Sequence, residues 1–186
     1  IDGWSISNDQ FISGTTTVDG IMSTADSSYP NTNNTLDLSS SAGFTFFTAV
    51  KDDAGNNALK MDSSGNSDSY AVVRGPYISS EKPVQILAGD TVSFRWKAQT
   101  GADSFDVLGY MQNVDTGEKI ELLNQTGTYT DWATIEQEIT EPGNYQFVFV
   151  SGSFDETGGR ALGATLYIDD ISLERATDIE INQDIV

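Results

Sequence analysis

Alternating hydrophobic and polar residues predict β-strands along most of the chain. In residues 91–97, Val92, Phe94 and Trp96 fall on one face and polar side chains on the other, the period of two that a half-buried strand produces. Residues 144–150 are apolar on nearly both faces, which indicates a central, buried strand. No segment has a 3.6-residue apolar repeat of helix length. Further strands are predicted at 44–50, 58–61, 70–73, 84–87, 105–112, 119–123, 132–139 and 162–173.

Turn residues separate these strands. Gly, Pro or Asp stands between apolar runs at 88–90, 115–117, 141–143 and 157–159. Many short strands at this spacing predict an all-β fold, a jelly-roll β-sandwich. We expect one domain over residues 1–173, with 174–186 as a linker or the start of a following domain. Residues 13–41 are rich in Ser, Thr, Asn and Asp and are predicted to form long surface loops.

Composition narrows the functions that are open to this chain. Its 186 residues include neither Cys nor His, and 28 acidic residues against 9 basic ones give a net charge of -19. These absences exclude a Ser-His-Asp triad, a thiolate nucleophile and the usual zinc or haem sites. So few basic residues predict no nucleic acid partner and no attraction to anionic lipid. No apolar run reaches the length of a membrane span, so direct membrane insertion is not expected.

The cellular compartment is read from the same features. The lack of Cys excludes a disulfide framework, which fits the cytosol but also fits an extracellular protein that a metal ion stabilises. The sequence opens at Ile1 without an initiator Met or a signal peptide, so we expect it to be part of a longer polypeptide. The acidic excess favours an extracellular location.

Acidic loops are candidate calcium sites, because Ca2+ prefers carboxylate and carbonyl oxygens that tight Gly turns can direct inward. Three clusters qualify, at 52–56, 62–68 and 155–159, with Asp52, Asp53, Asp62 and Asp155 as predicted ligands. None matches a complete EF-hand loop. The alternative for each cluster is a solvated acidic turn.

Asp169 and Asp170 are a fourth candidate, because they interrupt an apolar sequence at 166–173. A partly buried carboxylate is unfavourable unless it is paired, hydrogen-bonded or bound to metal, and basic partners are rare here. Both residues are therefore predicted metal ligands. The alternative is that one points to solvent and the other caps a turn.

Exposed aromatic side chains are the candidates for ligand binding, since sugars stack their C–H faces on aromatic rings while polar groups reach the hydroxyls. Trp4, Tyr77, Tyr110 and Trp132 are the predicted ligand-binding residues, and Tyr129 also lies near polar neighbours. The alternative for each of them is a structural role in packing. The aromatics of the two clearest strands are assigned to the core instead: Phe94, Trp96, Tyr145, Phe147 and Phe149.

A pair of carboxylates could also support glycoside hydrolysis. Glu136 and Glu138 fall on one face of a strand, and Asp106 is a further candidate acid or base. The competing hypothesis is therefore a polysaccharide hydrolase or lyase on a jelly roll. Because the same spacing is typical of a solvated strand face, we favour a non-enzymatic protein.

Several segments together resemble a known family. They are Gly3-Trp4-Ser5 and residues 70–73, 87–94, 143–155, 159–164 and 166–171, the last reading Leu-Tyr-Ile-Asp-Asp-Ile. This order is similar to galactose-binding-like jelly rolls related to family 4 carbohydrate-binding modules. It resembles in particular those in the ligand-binding region of large, calcium-dependent repeats-in-toxin (RTX) bacterial adhesins. The resemblance extends to about Leu173.

The resemblance implies a cell-adhesion role in biofilms at the extracellular bacterial cell surface. The domain would bind cell-surface or matrix carbohydrate, or act as a scaffold for adjacent domains of the same polypeptide. It also implies Ca2+ as cofactor, with Asp169 as the best match to a structural calcium ligand on the last strand and Asp170 second.

Overall fold

The fold consists of β-strands and loops in the residues that the structure, a computed structural model, describes: 3–7, 11–13, 47–63, 72–101, 103–157 and 163–176. No helix in these ranges could cross a membrane. The strands are β1 (Trp4–Ser7), β2 (Phe11–Ser13), β3 (Phe47–Lys51), β4 (Asn57–Ser63), β5 (Val72–Ser80), β6 (Val84–Ile86), β7 (Thr91–Thr100), β8 (Ser104–Asn113), β9 (Lys119–Gly127), β10 (Ala133–Glu138), β11 (Gly143–Phe154) and β12 (Ala164–Glu174).

Two antiparallel sheets make up the sandwich. The first sheet has the order β1-β5-β11-β8-β9, with β2 also pairing with β5 and β6 with β11, and the second has the order β10-β7-β12-β4-β3. The predicted all-β sandwich is confirmed. The loops predicted at 13–41 lie outside the described residues, apart from Ser13 in β2.

Strand β5 is longer than the strand predicted at 70–73, because it continues through Gly75-Pro76 to Ser80. The β5–β11 pairing shifts register between Val150 and Gly152, opposite this dipeptide. Proline has no N–H to donate and is tolerated in a sheet where a bulge interrupts the ladder. The bulge therefore lets β5 pass through the proline as one strand.

The core lies between the sheets and follows the predicted alternation. Val92, Phe94 and Trp96 are buried, which confirms their assignment to the inner face of β7. At the centre, Phe149 meets Phe94 edge to face at 5.0 Å between ring centroids. Gly109 of β8 lies directly beneath this ring, since a Cβ there would come within 3.0 Å of a Phe149 ring carbon.

Asp90 ties the end of β12 to the turn between β6 and β7. Its buried carboxylate accepts hydrogen bonds from the backbone N–H groups of Leu87 and Ala176, both at 2.9 Å, and from Arg175 Nη1 at 2.6 Å. The backbone donors, helped by Arg175, hold the pKa of Asp90 below its usual range.

Replacing Asp90 should therefore change how stability depends on pH. A lowered folded-state pKa contributes stability above the unfolded pKa of about 3.9, and this is lost as pH falls through the folded pKa. We expect Asp90→Asn to melt below the wild type at neutral pH, and the gap to narrow below about pH 4. Glu138→Gln, which removes an exposed charge, is the control. A gap for Asp90→Asn that is constant with pH would contradict this role.

Candidate functional site

The outer face of the second sheet carries the candidate site. Alternation along β7 buries Phe94 and Trp96 and turns Arg95, Lys97 and Gln99 outward. Tyr167 of β12 pairs with Lys97 and faces the same side. Residues 129–132 lie beside the end of β7, since Tyr129 forms a β-bridge with Gln99 and Thr130 donates its N–H to the Ala98 carbonyl.

Three aromatic side chains gather there around two cations. Trp132 and Tyr167 have ring centroids 6.1 Å apart and meet edge to face, and the Arg95 guanidinium lies 4.9 Å from the Trp132 centroid. Lys97 Nζ is 5.5 Å from the ring of Tyr129 and 5.8 Å from that of Tyr167. A cation is attracted to the quadrupole of an aromatic ring, so Arg95 and Lys97 help to hold these three rings in place. We call Tyr129, Trp132 and Tyr167 the aromatic cluster.

Hydrogen bonds fix the phenol groups of the cluster. Tyr129 is 57% exposed and donates its hydroxyl to Asp131 at 2.8 Å, and Gln99 donates to Tyr167 Oη at 3.2 Å. The bond to Asp131 and the charge of that carboxylate raise the pKa of Tyr129. Both tyrosines therefore present neutral, oriented rings at ordinary pH.

Two open cavities adjoin the cluster. The first, about 420 Å³, is lined by Lys51, Asp52, Asp53, Lys97, Asp131 and Trp132. The second, about 370 Å³, includes Lys60, Asp62 and Gln99 in its lining. Lys97 and Gln99 lie two residues apart on one face of β7, so the cavities are neighbours along that strand. Together they form an aromatic surface with donors and acceptors on both sides.

Four of the predicted metal ligands come together next to this surface. Arg95 donates to Asp52 Oδ2 at 3.0 Å and to Asp53 Oδ1 at 2.7 Å, and its Nη1 lies 3.9 Å from Asp170 Oδ2. Asp169 pairs with Arg95 across the strands. Burial opposes ionisation of Asp52, but N–H donors of Asn56 and Ala54 together with Arg95 lower its pKa. A guanidinium therefore already supplies positive charge to this group of carboxylates.

Asp169 is the least satisfied member of this group. Burial, together with the charges of Asp170 and Asp52, raises its pKa, and its buried Oδ2 has no hydrogen-bond partner. An orphaned oxygen of this kind suits a cation. However, no three acidic side chains converge on one point within the described ranges, whereas Ca2+ takes six to eight oxygens. The residues described do not by themselves make a calcium site, and calcium binding stays a prediction.

The other two predicted metal ligands lie apart from this group of four, Asp62 in the lining of the second cavity and Asp155 after β11. Asp62 of β4 forms an ion pair with Lys60 at 2.7 Å and accepts the Thr165 hydroxyl at 2.6 Å. Asp155 is buried after β11 and accepts the Thr157 N–H at 3.1 Å. The six predicted ligands therefore fall in three places.

The four predicted ligand-binding aromatics also separate. Trp132 belongs to the aromatic cluster. Trp4 packs toward the core, 6.0 Å from the Phe149 ring centroid. Tyr77 and Tyr110 belong to a small apolar group with Leu108, Val148 and Val150, distinct from the main core.

Tyr167 was not predicted as a ligand contact, because it lies within an apolar stretch that suggested a core strand. Its immediate neighbours supply the signal: Leu166 and Ile168 are buried, so alternation places Tyr167 on the opposite face.

The carboxylates that suggested an enzyme do not form one site. Glu136 and Glu138 share the exposed face of β10 as predicted, at the edge of the second sheet. Asp106 is buried on β8 of the first sheet, where Arg74 Nη2 lies 3.0 Å from its Oδ1. Asp106 therefore lies apart from the two glutamates.

No family model and no curated protein matches this sequence. Solved structures do match the fold. TmCBM61 in complex with β-1,4-galactotriose is 16% identical, covers 70% of this chain and 83% of its own, and has a TM-score of 0.44. A family 16 carbohydrate-binding module is 17% identical over 70% and 86% of the two chains, with a TM-score of 0.41. A carbohydrate-binding module of the β-sandwich superfamily is 13% identical over 94% and 58%, also with a TM-score of 0.41. At these values, function has to be argued from the residues themselves.

Proposed function

We propose that the protein is a non-enzymatic carbohydrate-binding domain, with the outer face of the second sheet as its binding surface. The observation that carries this proposal is the aromatic cluster between two polar cavities. A sugar ring can stack its apolar face on Trp132 or Tyr129 while its hydroxyls bond to Gln99, Lys97 and neighbouring carboxylates. The cluster provides the convergent arrangement that recognition needs, whereas Asp106 of β8 is buried apart from the two glutamates on the exposed face of β10.

The wider role belongs to the same proposal. The domain would act in attachment, within an extracellular bacterial adhesin of the RTX type. It would bind cell-surface or matrix carbohydrate while other domains of the same polypeptide flank it. The support is the sequence resemblance and the acidic composition, 28 acidic against 9 basic residues, which suits a protein exposed to salt.

Truncating two tryptophans separates binding from stability. We expect Trp132→Ala to weaken polysaccharide binding at least tenfold, because truncating an aromatic hot spot costs about 2 kcal/mol or more. Trp4→Ala should instead lower the melting temperature and leave the affinity unchanged, since Trp4 packs on Phe149. Both are measured by calorimetric titration with polysaccharides that the wild type binds in a panel screen, and by thermal unfolding.

Three results would argue against this surface or this function. Equal affinity of Trp132→Ala and wild type would exclude the aromatic cluster as the site. Turnover of a polysaccharide that disappears in Glu136→Gln would support an enzyme. Absence of binding to every polysaccharide in the panel would favour a scaffold that positions neighbouring domains.

Calcium stabilisation is also part of the proposal. Its support is the pair Asp52 and Asp169: the nearby charge of Asp52 contributes, after burial, to the raised pKa of Asp169, and Oδ2 of Asp169 is buried without a hydrogen-bond partner among the described residues. A bound cation would neutralise these carboxylates and add binding free energy to the native state alone. The same cation would fix the loop after β3 against β12.

Thermal unfolding tests the calcium proposal. In EDTA, millimolar Ca2+ and millimolar Mg2+ at matched ionic strength, we expect a rise in melting temperature that only Ca2+ produces. Asp169→Asn should remove this rise, and should melt slightly above the wild type in EDTA because it relieves carboxylate repulsion. Identical melting of the wild type in all three solutions would contradict the proposal.

A further inference from the structure

The first cavity contains two lysines that have no carboxylate partner among the described side chains. Lys51 Nζ donates to the Asn57 side-chain oxygen at 2.7 Å, and Lys97 Nζ lies between the rings of Tyr129 and Tyr167. The ion pairs of the described residues involve other basic groups, namely Lys60, Arg74, Arg95 and Arg175. Both ammonium groups are therefore available to a ligand.

The acids of the same cavity are already engaged. Asp52 and Asp53 are bound to Arg95, and Asp131 accepts the Tyr129 hydroxyl. Arg95 partly neutralises Asp52 and Asp53, and Asp131 is hydrogen-bonded to Tyr129, whereas no carboxylate among the described side chains pairs with Lys51 or Lys97. The cavity thus offers two free cations beside the indole of Trp132.

This arrangement is unusual for so acidic a chain. It has 9 basic and 28 acidic residues, yet four of the nine, Lys51, Lys60, Arg95 and Lys97, line the two cavities or contact the aromatic cluster. Charges beyond the Debye length of about 10 Å at 0.1 M salt are largely screened. The distant acidic residues therefore contribute little at the cavity, where the lining includes three aspartates and two lysines and the lysines have no carboxylate partner among the described side chains.

We propose that the preferred ligand is an anionic glycan, whose sugar bears a carboxylate or a sulfate ester that binds Lys97 and Lys51. This inference rests on the proposed carbohydrate-binding function and specifies its substrate class. The sugar ring stacks on the aromatic cluster, and the anionic substituent enters the first cavity. Charge-assisted hydrogen bonds from the two ammonium groups give acidic sugars a higher affinity than neutral sugars.

The test is calorimetric titration with matched polysaccharides. Polygalacturonate and alginate are compared with their carboxyl-reduced forms, and dextran sulfate with dextran, so that the two arms separate carboxylate from sulfate. We expect at least one acidic polymer to bind about tenfold or more tightly than its neutral counterpart, the equivalent of about 1.4 kcal/mol. Raising the salt concentration should reduce this difference.

Variants assign the preference to the cavity. Lys97→Gln and Lys51→Gln should each lose most of the advantage of the acidic polymer, while Lys97→Arg keeps it. Lys82→Gln removes the same charge from the turn between β5 and β6 in the first sheet and should change nothing. Melting temperatures confirm that each variant is folded.

The outcomes separate this inference from the proposed function. Equal binding of neutral and acidic forms, or an acidic preference that survives in both Gln variants, would overturn the inference and leave carbohydrate binding in place. Absence of binding to these polymers and to the full panel would overturn both.

Discussion

Arg74→Met should destabilise the protein by about 3 to 5 kcal/mol at neutral pH, since removing one partner of a buried ion pair leaves the other charge uncompensated. Arg74 is 1% exposed and Asp106 7% exposed, with 3.0 Å between Nη2 and Oδ1. Without Arg74, the carboxylate keeps the Thr126 hydroxyl, at 3.4 Å, as a hydrogen-bond donor.

The position of this pair follows from the strand order of the first sheet. Arg74 of β5 lies opposite Gly152 of β11, and Asp106 lies on β8 at the other side of β11, two residues before Leu108 of the small apolar group. Glycine has no side chain, so the ion pair can cross β11 over Gly152. Both charges therefore lie beside apolar side chains on the outer face of the first sheet.

The expected loss depends on pH with a defined sign. Burial raises the pKa of Asp106, and Arg74 only partly offsets this. An acid whose pKa is raised in the folded state contributes most to stability below its unfolded pKa, where it is protonated. This contribution to the free energy of unfolding is lost as pH rises. Arg74→Met should accordingly regain stability as pH falls from neutrality toward about 4.

A double-mutant cycle by urea unfolding measures the coupling. Arg74→Met/Asp106→Leu should recover most of the stability, because replacing both charges with apolar groups is often neutral or favourable. Simple addition of the two single-variant losses would show that the pair is not coupled in the native state.

Phe149→Ala is expected to have a comparable effect, about 3 to 5 kcal/mol, because it removes a large ring and leaves a cavity. Phe149 is 0% exposed and packs on Phe94 and Trp4. Gly109 beneath it has no side chain to fill the space, so filling the cavity would require movement of the backbone or of other core side chains. Urea unfolding measures the change in free energy.

Tyr129→Ala provides the matched control for Phe149→Ala. It removes an aromatic ring of similar size, but this ring is 57% exposed, so the free energy of unfolding should change by less than about 0.5 kcal/mol. Equal losses in the two variants would contradict the assignment of Phe149 to the centre of the core.

The alternation of apolar and polar residues predicted many of the strands, because this alternation depends only on residues that are close in the sequence. The alternation of Val92, Phe94 and Trp96 marks which face of β7 is buried, whatever strand lies beside it. The same alternation marks the outward face that carries Lys97. Local patterns could not reveal that β5 passes through Gly75-Pro76, because this depends on a bulge in a strand distant in sequence.

The site depended on pairings that no local pattern encodes. Trp132 was identified as a candidate from its polar surroundings, but its neighbour Tyr167 reaches it only through the register of β12 beside β7. Likewise, Asp169 and Asp170 signalled unusual chemistry within an apolar stretch, and the structure places a register shift between Asp169 and Ser172 with Asp170 at φ 50°. That Arg95 would meet these acids follows only from the sheet order.

The central claim is that carbohydrate binds on the outer face of the second sheet. NMR chemical-shift mapping of the labelled protein, titrated with an oligosaccharide of the polymer that it binds, tests this most directly. We predict the largest amide and side-chain shifts at Lys97, Gln99, Tyr129, Trp132 and Tyr167. Shifts concentrated around Tyr77 and Tyr110 on the first sheet, with the aromatic cluster unchanged, would contradict the account.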